Sequence, residues 1–217
     1  MPRAHSPPFP SSLSQLSYFP ARGRAEFTRL CLSAGKVAFE DERMSFEDFG
    51  AKKASGELPM GQLPTLTVDG VQYSQSISIA RYSAKISGIY PAGEVAQLKC
   101  DMVVDCFSDL RDTFAPFRTM KPEEKDAAYP AAIEKAEQQC AKIEKLLEGS
   151  GLFVGDAITM ADVACFAVFE DNALRRPQVV ATGFKDKFPG LAAVCDKVKA
   201  QEGIAAYLSS RPDEPDL

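Results

Sequence analysis

The stretch LPMGQLPTLTVDGVQYSQSISIARYSAK, Leu58 to Lys85, sets Gln75-Ser76 at the start of a helical run. A helix mouth carries free backbone N–H groups and about half a unit of positive charge, so it suits a carboxylate or another anion. A serine there also serves as an ordinary cap. A second set of charges lies at Asp101, Asp105, Asp109 and Asp112, whose steps of four, four and three put them on one helix face. A solvated stripe accounts for that pattern, and one straight face cannot surround a divalent cation with six or more oxygens. His5, the single histidine, falls in the N-terminal tail. Metal sites and Ser-His or Cys-His catalysis therefore lose their usual base. Catalysis must use Tyr, Arg, Asp or Glu, or a substrate that brings its own nucleophile. Cys31, Cys100, Cys106, Cys140, Cys165 and Cys195 form no C-x-x-C pair, which removes a zinc knuckle and a thioredoxin-type redox pair. Reduced, buried thiols fit them best.

The elements that hold these residues fall into two blocks. The first reads β-α-β-α-β-β-α: a strand at Leu13–Phe19, a helix at Ala25–Ala34, a strand at Phe39–Met44, a helix at Ser45–Ala54 capped by Ser45, strands at Thr65–Val68 and Val71–Tyr73, and a helix at Ser76–Ser87. Asp69-Gly70 between the last two strands is a strong two-residue hairpin signal. The pattern predicts a mixed sheet with helices packed on it. GIYPAG, Gly88 to Gly93, is the turn-rich break. Beyond it the chain reads as helix throughout. Val95–Phe117 carries Leu98, Met102, Val103, Cys106, Leu110 and Phe114 on one side. Pro130–Glu148 starts on a proline and stops at Gly149. Val163–Phe169 is apolar enough for a strand, but Thr159 with Asp162 three residues on is a capping-box variant and makes it a buried helix. Leu191–Tyr207 is the last helical run, with a break at Gly203. The expected divisions are a tail over 1–12, an α/β domain over 13–87, a linker over 88–94, an all-helical domain over 95–208 and a polar tail over 209–217.

The 217 residues suffice for one or two domains with a good core. The net charge of −5, with no long basic run, argues against nucleic acid or an acidic membrane surface as partner. No apolar stretch is long enough to span a bilayer. MPRAHSPPFPSS lacks the apolar core of a secretory signal.

The pieces YFPARGRAE, GQLPTLTVDG, QSISIARY and ITMADV, in this order and spacing, strongly resemble the cytosolic glutathione transferases, and their sigma class above all. The resemblance covers roughly Leu13 to Leu208. It implies a thioredoxin-like βαβαββα domain followed by a helical bundle, with glutathione as co-substrate and no metal. Gln75 and Ser76 would then hold the γ-glutamyl carboxylate. Leu63, before a cis Pro64, would pair its main chain with the cysteinyl part, with Gln62 beside it. Tyr18 would donate to the sulfur and lower its pKa, since a hydrogen bond to the charged form favours that form. Arg24 would help keep the thiolate ionised, with Arg22 the second candidate. Packing and solvation are the ordinary roles of such a strand Tyr and helix-start Arg. Phe49 and Lys53 fall near the glycine carboxylate, where Lys52 competes with Lys53. Sigma-like proteins often carry Trp where Phe49 stands. Asp109 matches an aspartate that reaches the neighbouring subunit's site.

The implied activity is conjugation of the glutathione thiolate to small hydrophobic electrophiles, in a cytoplasmic homodimer. The second substrate would lie against Phe19, Pro20 and Ala21 and around Arg111, Phe114 and Phe117. Two rivals share the pattern: a glutathione-dependent isomerase of the prostaglandin D synthase kind, and a non-catalytic ligand-binding or crystallin-like protein.

Overall fold

A computed structural model describes residues Leu13–Asp213; His5 lies outside them. Two compact units divide the chain. Of the described residues, those up to Ile89 together with 210–213 form the first; Tyr90–Ser209 forms the second.

The first unit follows the β-α-β-α-β-β-α order of the sequence pattern: β1 (Ser14–Tyr18), α1 (Glu26–Ala34), β2 (Phe39–Arg43), α2 (Phe46–Ser55), β3 (Thr65–Val68), β4 (Val71–Ser74) and α3 (Ser76–Ile86). The sheet order is β2-β1-β3-β4. β1 and β2 run parallel, while β1–β3 and β3–β4 are antiparallel. Val68 pairs with Val71, so Asp69 and Gly70 alone make the turn. Their φ values, 49° and 79°, are those of the turn whose twist matches paired strands. The Ser45 hydroxyl accepts from the Asp48 N–H at 3.0 Å and caps α2, which ends at left-handed Gly56. Leu16, Tyr18, Met44, Leu58, Leu63, Leu66 and Ile79 form this unit's core.

The second unit is helical among the described residues. Its long α4 (Glu94–Phe114) ends in a 3₁₀ turn, Ala115–Arg118, and α5 (Pro122–Glu144) follows. α6 (Met160–Cys165) widens into a π turn at Phe166–Glu170. A 3₁₀ turn at Ala173–Arg175 and two short helices, α7 (Pro177–Val180) and α8 (Phe184–Lys187), lead to α9 (Pro189–Ala200) and α10 (Glu202–Ser210). Asp162 accepts from the Thr159 N–H and hydroxyl, both at 2.8 Å, and from the Phe153 N–H at 3.0 Å. The capping box therefore also fastens the loop before it. The Cys165 and Cys195 sulfurs stand 3.8 Å apart across α6 and α9, and all six cysteines are free thiols.

Three details depart from the sequence pattern. α5 runs Pro122–Glu144, not Pro130–Glu148, and Pro130 lies inside the helix. Pro122 has Glu123 and Glu124 in its first turn, and Glu124 accepts from the Lys121 N–H at 3.2 Å, so its start is the better satisfied one. The last helical run breaks at Gln201 rather than Gly203, because the Gln201 side chain accepts from the Ile204 N–H at 2.8 Å and caps a new helix. Of the apolar side assigned to α4, Val103, Leu110 and Phe114 are buried, but Leu98 and Met102 are exposed along with Val95. α4 carries two apolar stripes, and the buried one includes Cys100 and Phe107.

Candidate active site

The strand directions gather the first unit's candidates at one edge of its sheet. Ser17 pairs with Thr65, and Thr65 with Ser74. One step outward from this row stand Tyr18, Pro64 and Gln75. β2 ends at the same edge, where the Met44 N–H donates to the Tyr18 carbonyl at 2.7 Å, and α2 departs from there. The Leu63-Pro64 bond is cis. Ligands of open α/β sheets commonly bind beyond the carboxyl ends of strands.

Tyr18 is buried at the end of β1, with 2% of its surface exposed. Its phenolic oxygen accepts a hydrogen bond from the Arg24 backbone N–H at 3.2 Å. That leaves the phenol's own proton to donate elsewhere, to a sulfur for instance. Gly23 makes the contact feasible. Its φ is 44°, and a β-carbon there would lie 2.5 Å from the phenolic oxygen. The sequence pattern pointed to the Arg24 guanidinium; the contact to the phenol is made by its main chain.

Arg29 on α1 went unnoticed in the sequence, yet it organises the turn between Tyr18 and α1. It is fully buried. It donates to the Ala21 carbonyl at 2.8 Å and the Arg22 carbonyl at 3.4 Å, and pairs with Glu26 at 3.2 Å and Asp41 at 3.0 Å. Asp41 also binds Arg43 at 2.8 Å, and Glu26 binds Arg211 at 2.6 Å. An apolar-looking helix face, with Glu26 and Arg29 one turn apart, was the only signal available.

Phe49 is half-buried on α2, and Lys53 lies over its ring at 5.8 Å from the centroid. Lys53 also runs beside Gly61, next to the exposed Gln62. Lys52 turns instead to Glu42, at 3.6 Å. Phe19 stacks on Phe46 at 4.6 Å and meets Phe49 edge-on at 5.2 Å, while Pro20 is exposed and Ala21 buried. Gln75, with a φ of 79°, precedes α3, and Ser76 is the helix's first residue. Among the described residues no side chain caps this end, and the first amides of a helix have no partner within it.

The other candidates belong to the second unit. Asp109 is exposed on α4. Arg111 donates to Ser108 at 2.9 Å and pairs with Asp112 at 3.5 Å. Phe114 is fully buried under the Arg176 guanidinium, and Phe117 packs on Tyr129 with centroids 4.3 Å apart. Asp101 accepts from the Tyr90 hydroxyl at 3.0 Å. Burial, and then Asp109 and Asp105, push the Cys106 thiol up. Among the described residues no group of three or more His, Cys, Asp or Glu converges as for a metal, and no helix is long and apolar enough to cross a membrane.

Comparison with known proteins places this geometry in context. The family described as glutathione S-transferase, N-terminal domain, matches residues 14–85, and that described as glutathione S-transferase, C-terminal domain, matches residues 108–211. The hematopoietic prostaglandin D synthase of Gallus gallus is 32% identical over 91% of this chain and 96% of its own. Probable glutathione S-transferase 6 of Caenorhabditis elegans is 32% identical over 93% and 98%. S-crystallin SL11 of Nototodarus sloanii is 32% identical over 90% and 95%. The solved structure of rat hPGDS complexed with a quinoline superposes with a TM-score of 0.82 at 27% identity, over 95% of this chain and all of that one.

Proposed function

The chain belongs to the glutathione S-transferase family, and from that premise we propose that it conjugates glutathione to small hydrophobic electrophiles, with Tyr18 assisting ionisation of the thiol. The observation that carries this reading is the Tyr18 phenol, fixed by the Arg24 N–H with its own proton free to donate. A free thiol is only a few per cent ionised at neutral pH, and each unit by which its pKa falls is worth about 1.4 kcal/mol. The thiol proton leaves to water, the phenol donates to the sulfur anion, and the sulfur forms a bond to the electrophilic carbon. A leaving group departs with its electron pair; in an addition, the π electrons of the acceptor move onto it and take up a proton from water.

The remaining assignments follow the same edge of the sheet. The uncapped start of α3 binds the γ-glutamyl carboxylate through its amides, with Gln75 and Ser76 beside it. The Leu63 main chain pairs with the cysteinyl part, and Gln62 lies alongside. Lys53 takes the glycine carboxylate, with Phe49 beneath it; the engagement of Lys52 with Glu42 favours this choice. For the second substrate, Phe19, Pro20 and Ala21 are the residues assigned within the first unit, and Arg111, Phe114 and Phe117 those assigned within the second. The exposed stripe Val95, Leu98 and Met102 on α4 favours a homodimer, since an apolar stripe gains by being covered. Asp109, on the same helix, then reaches the partner's glutathione. The proposed location is the cytoplasm.

A second reading, glutathione-dependent isomerisation, draws on the prostaglandin D synthase relatives and uses the same residues. A chromogenic conjugation assay of wild type beside Tyr18→Phe tests the main reading. The variant should lose roughly tenfold to a hundredfold in rate, the effect of one to two units in thiol pKa. Equal rates would remove Tyr18 from the mechanism. Product analysis with an endoperoxide separates transferase from isomerase, and a wild type inactive on both would favour the crystallin-like alternative.

A further inference from the structure

The segment after α10 is drawn into the first unit by its charges. Arg211 binds one oxygen of Glu26 at 2.6 Å, while Arg29 binds the other at 3.2 Å. Asp213 adds a weaker tether to Arg22 at 3.9 Å. The Arg29 side chain is 0% exposed, that of Glu26 4% and that of Arg211 13%, so solvent and salt screen this chain of charges little. Its far end is the main chain of the catalytic turn. Arg29 holds the carbonyls of Ala21 and Arg22, the Glu26 N–H donates to the Arg22 carbonyl at 3.0 Å, and two residues on the Arg24 N–H meets the phenol.

Resting on the transferase reading above, we propose that Arg211 is a positioning residue for thiol activation: through Glu26 and Arg29 it holds the Ala21–Arg24 turn that aims the Tyr18 hydroxyl. The logic is one of shared acceptors. With Arg211 in place, Glu26 divides its two oxygens between two guanidiniums, and Arg29 keeps donors for the turn. Without Arg211, a carboxylate that is almost wholly buried loses a charge partner at 2.6 Å, a costly change in a poorly solvated site. Arg29 already donates to the other oxygen of the same carboxylate. The same Nη1 nitrogen binds Glu26 and the Ala21 and Arg22 carbonyls, so a shift of Arg29 toward Glu26 loosens its hold on the turn. The Arg24 N–H then drifts from the phenol, and the hydroxyl loses its fixed direction.

The test uses Arg211→Ala, with Arg211→Lys as the charge-retaining control and Arg211→Gln as a milder variant should the alanine protein fold poorly. Two readouts are taken. The first is amide hydrogen exchange over residues 19–26 in the free protein. The second is the pH at which bound glutathione ionises, followed by ultraviolet absorbance of the thiolate and by the pH profile of kcat. In the alanine or glutamine variant, exchange over that segment should quicken by roughly tenfold while the sheet stays protected. The thiol should ionise about half a unit to one unit higher, lowering kcat roughly three- to tenfold at pH values below it, with the KM for glutathione within about twofold. Lysine should restore most of both. Unchanged exchange together with unchanged thiol ionisation would overturn the proposal, as would a loss in KM alone. A wild type that binds no glutathione would overturn the transferase reading instead, and the exchange of residues 19–26 would still decide whether Arg211 holds the turn.

Discussion

The Arg24 backbone N–H donates to the Tyr18 hydroxyl at 3.2 Å, so residues six apart are joined by main chain on one side and phenol on the other. A main-chain donor cannot be removed by replacing the Arg24 side chain. The geometry depends instead on the residues that bend the turn.

Gly23→Ala should therefore resemble loss of the phenol. A β-carbon at this position would sit 2.5 Å from the Tyr18 oxygen, and the φ of 44° strains any residue with a side chain. The left-handed backbone alone costs roughly 1–2 kcal/mol. Conjugation should fall about tenfold or more, and the melting temperature should drop. A variant with wild-type kcat would show that the phenol does not need this turn.

Lys53→Ala should raise the KM for glutathione roughly threefold to tenfold, the worth of one partly exposed charged contact. Lys52→Ala should leave it nearly unchanged, because that side chain is already turned to Glu42. Steady-state kinetics at several glutathione concentrations read the difference, and the reverse ranking would reassign the carboxylate.

Phe49→Trp should tighten glutathione. The chain contains no tryptophan, and phenylalanine offers no N–H where the sigma-like pattern often has an indole. A hydrogen bond to a charged group adds roughly 1.5–3 kcal/mol at most, so the KM should fall by about tenfold, and by no more than roughly a hundredfold. An unchanged KM would count against an indole donor at this place.

Asp162→Asn should destabilise the second unit by about 1–3 kcal/mol, because the amide turns a donor toward the Thr159 N–H or the Phe153 N–H. The pH dependence has a definite sign. Burial raises the Asp162 carboxyl above its ordinary 3.8, although its hydrogen bonds to Phe153 and Thr159 pull it back. A raised acid binds its proton more tightly folded than unfolded. Stability from this group is therefore greatest below the ordinary value and declines as pH rises through the raised one. The advantage of wild type over the variant should narrow across that window, as thermal melts would reveal. A widening gap would mean that the hydrogen bonds outweigh burial.

Local rules made parts of both units legible. Asp69-Gly70, the Ser45 cap and the Thr159–Asp162 box each act through neighbours in sequence, and each stands as read. The start of α5 differs from the sequence pattern, which sets it at Pro130: the acidic first turn after Pro122 fixes it eight residues earlier, and Pro130 is carried inside the helix. The charge network escaped for a different reason. Arg29 takes its meaning from Asp41, Arg211 and two carbonyls, partners that only folding brings together. The Arg24 contact was likewise hidden, since a sequence displays guanidiniums and not the direction of an amide.

The row Ser17–Thr65–Ser74 acts as a ruler. Two strand spacings, roughly 10 Å, separate the strand that ends in the phenol from the strand that leads into α3. Interstrand hydrogen bonds set that gauge, so loop changes cannot stretch it. On the proposed function, a peptide one methylene shorter between its acidic head and its sulfur should reach either the amides or the phenol, but not both.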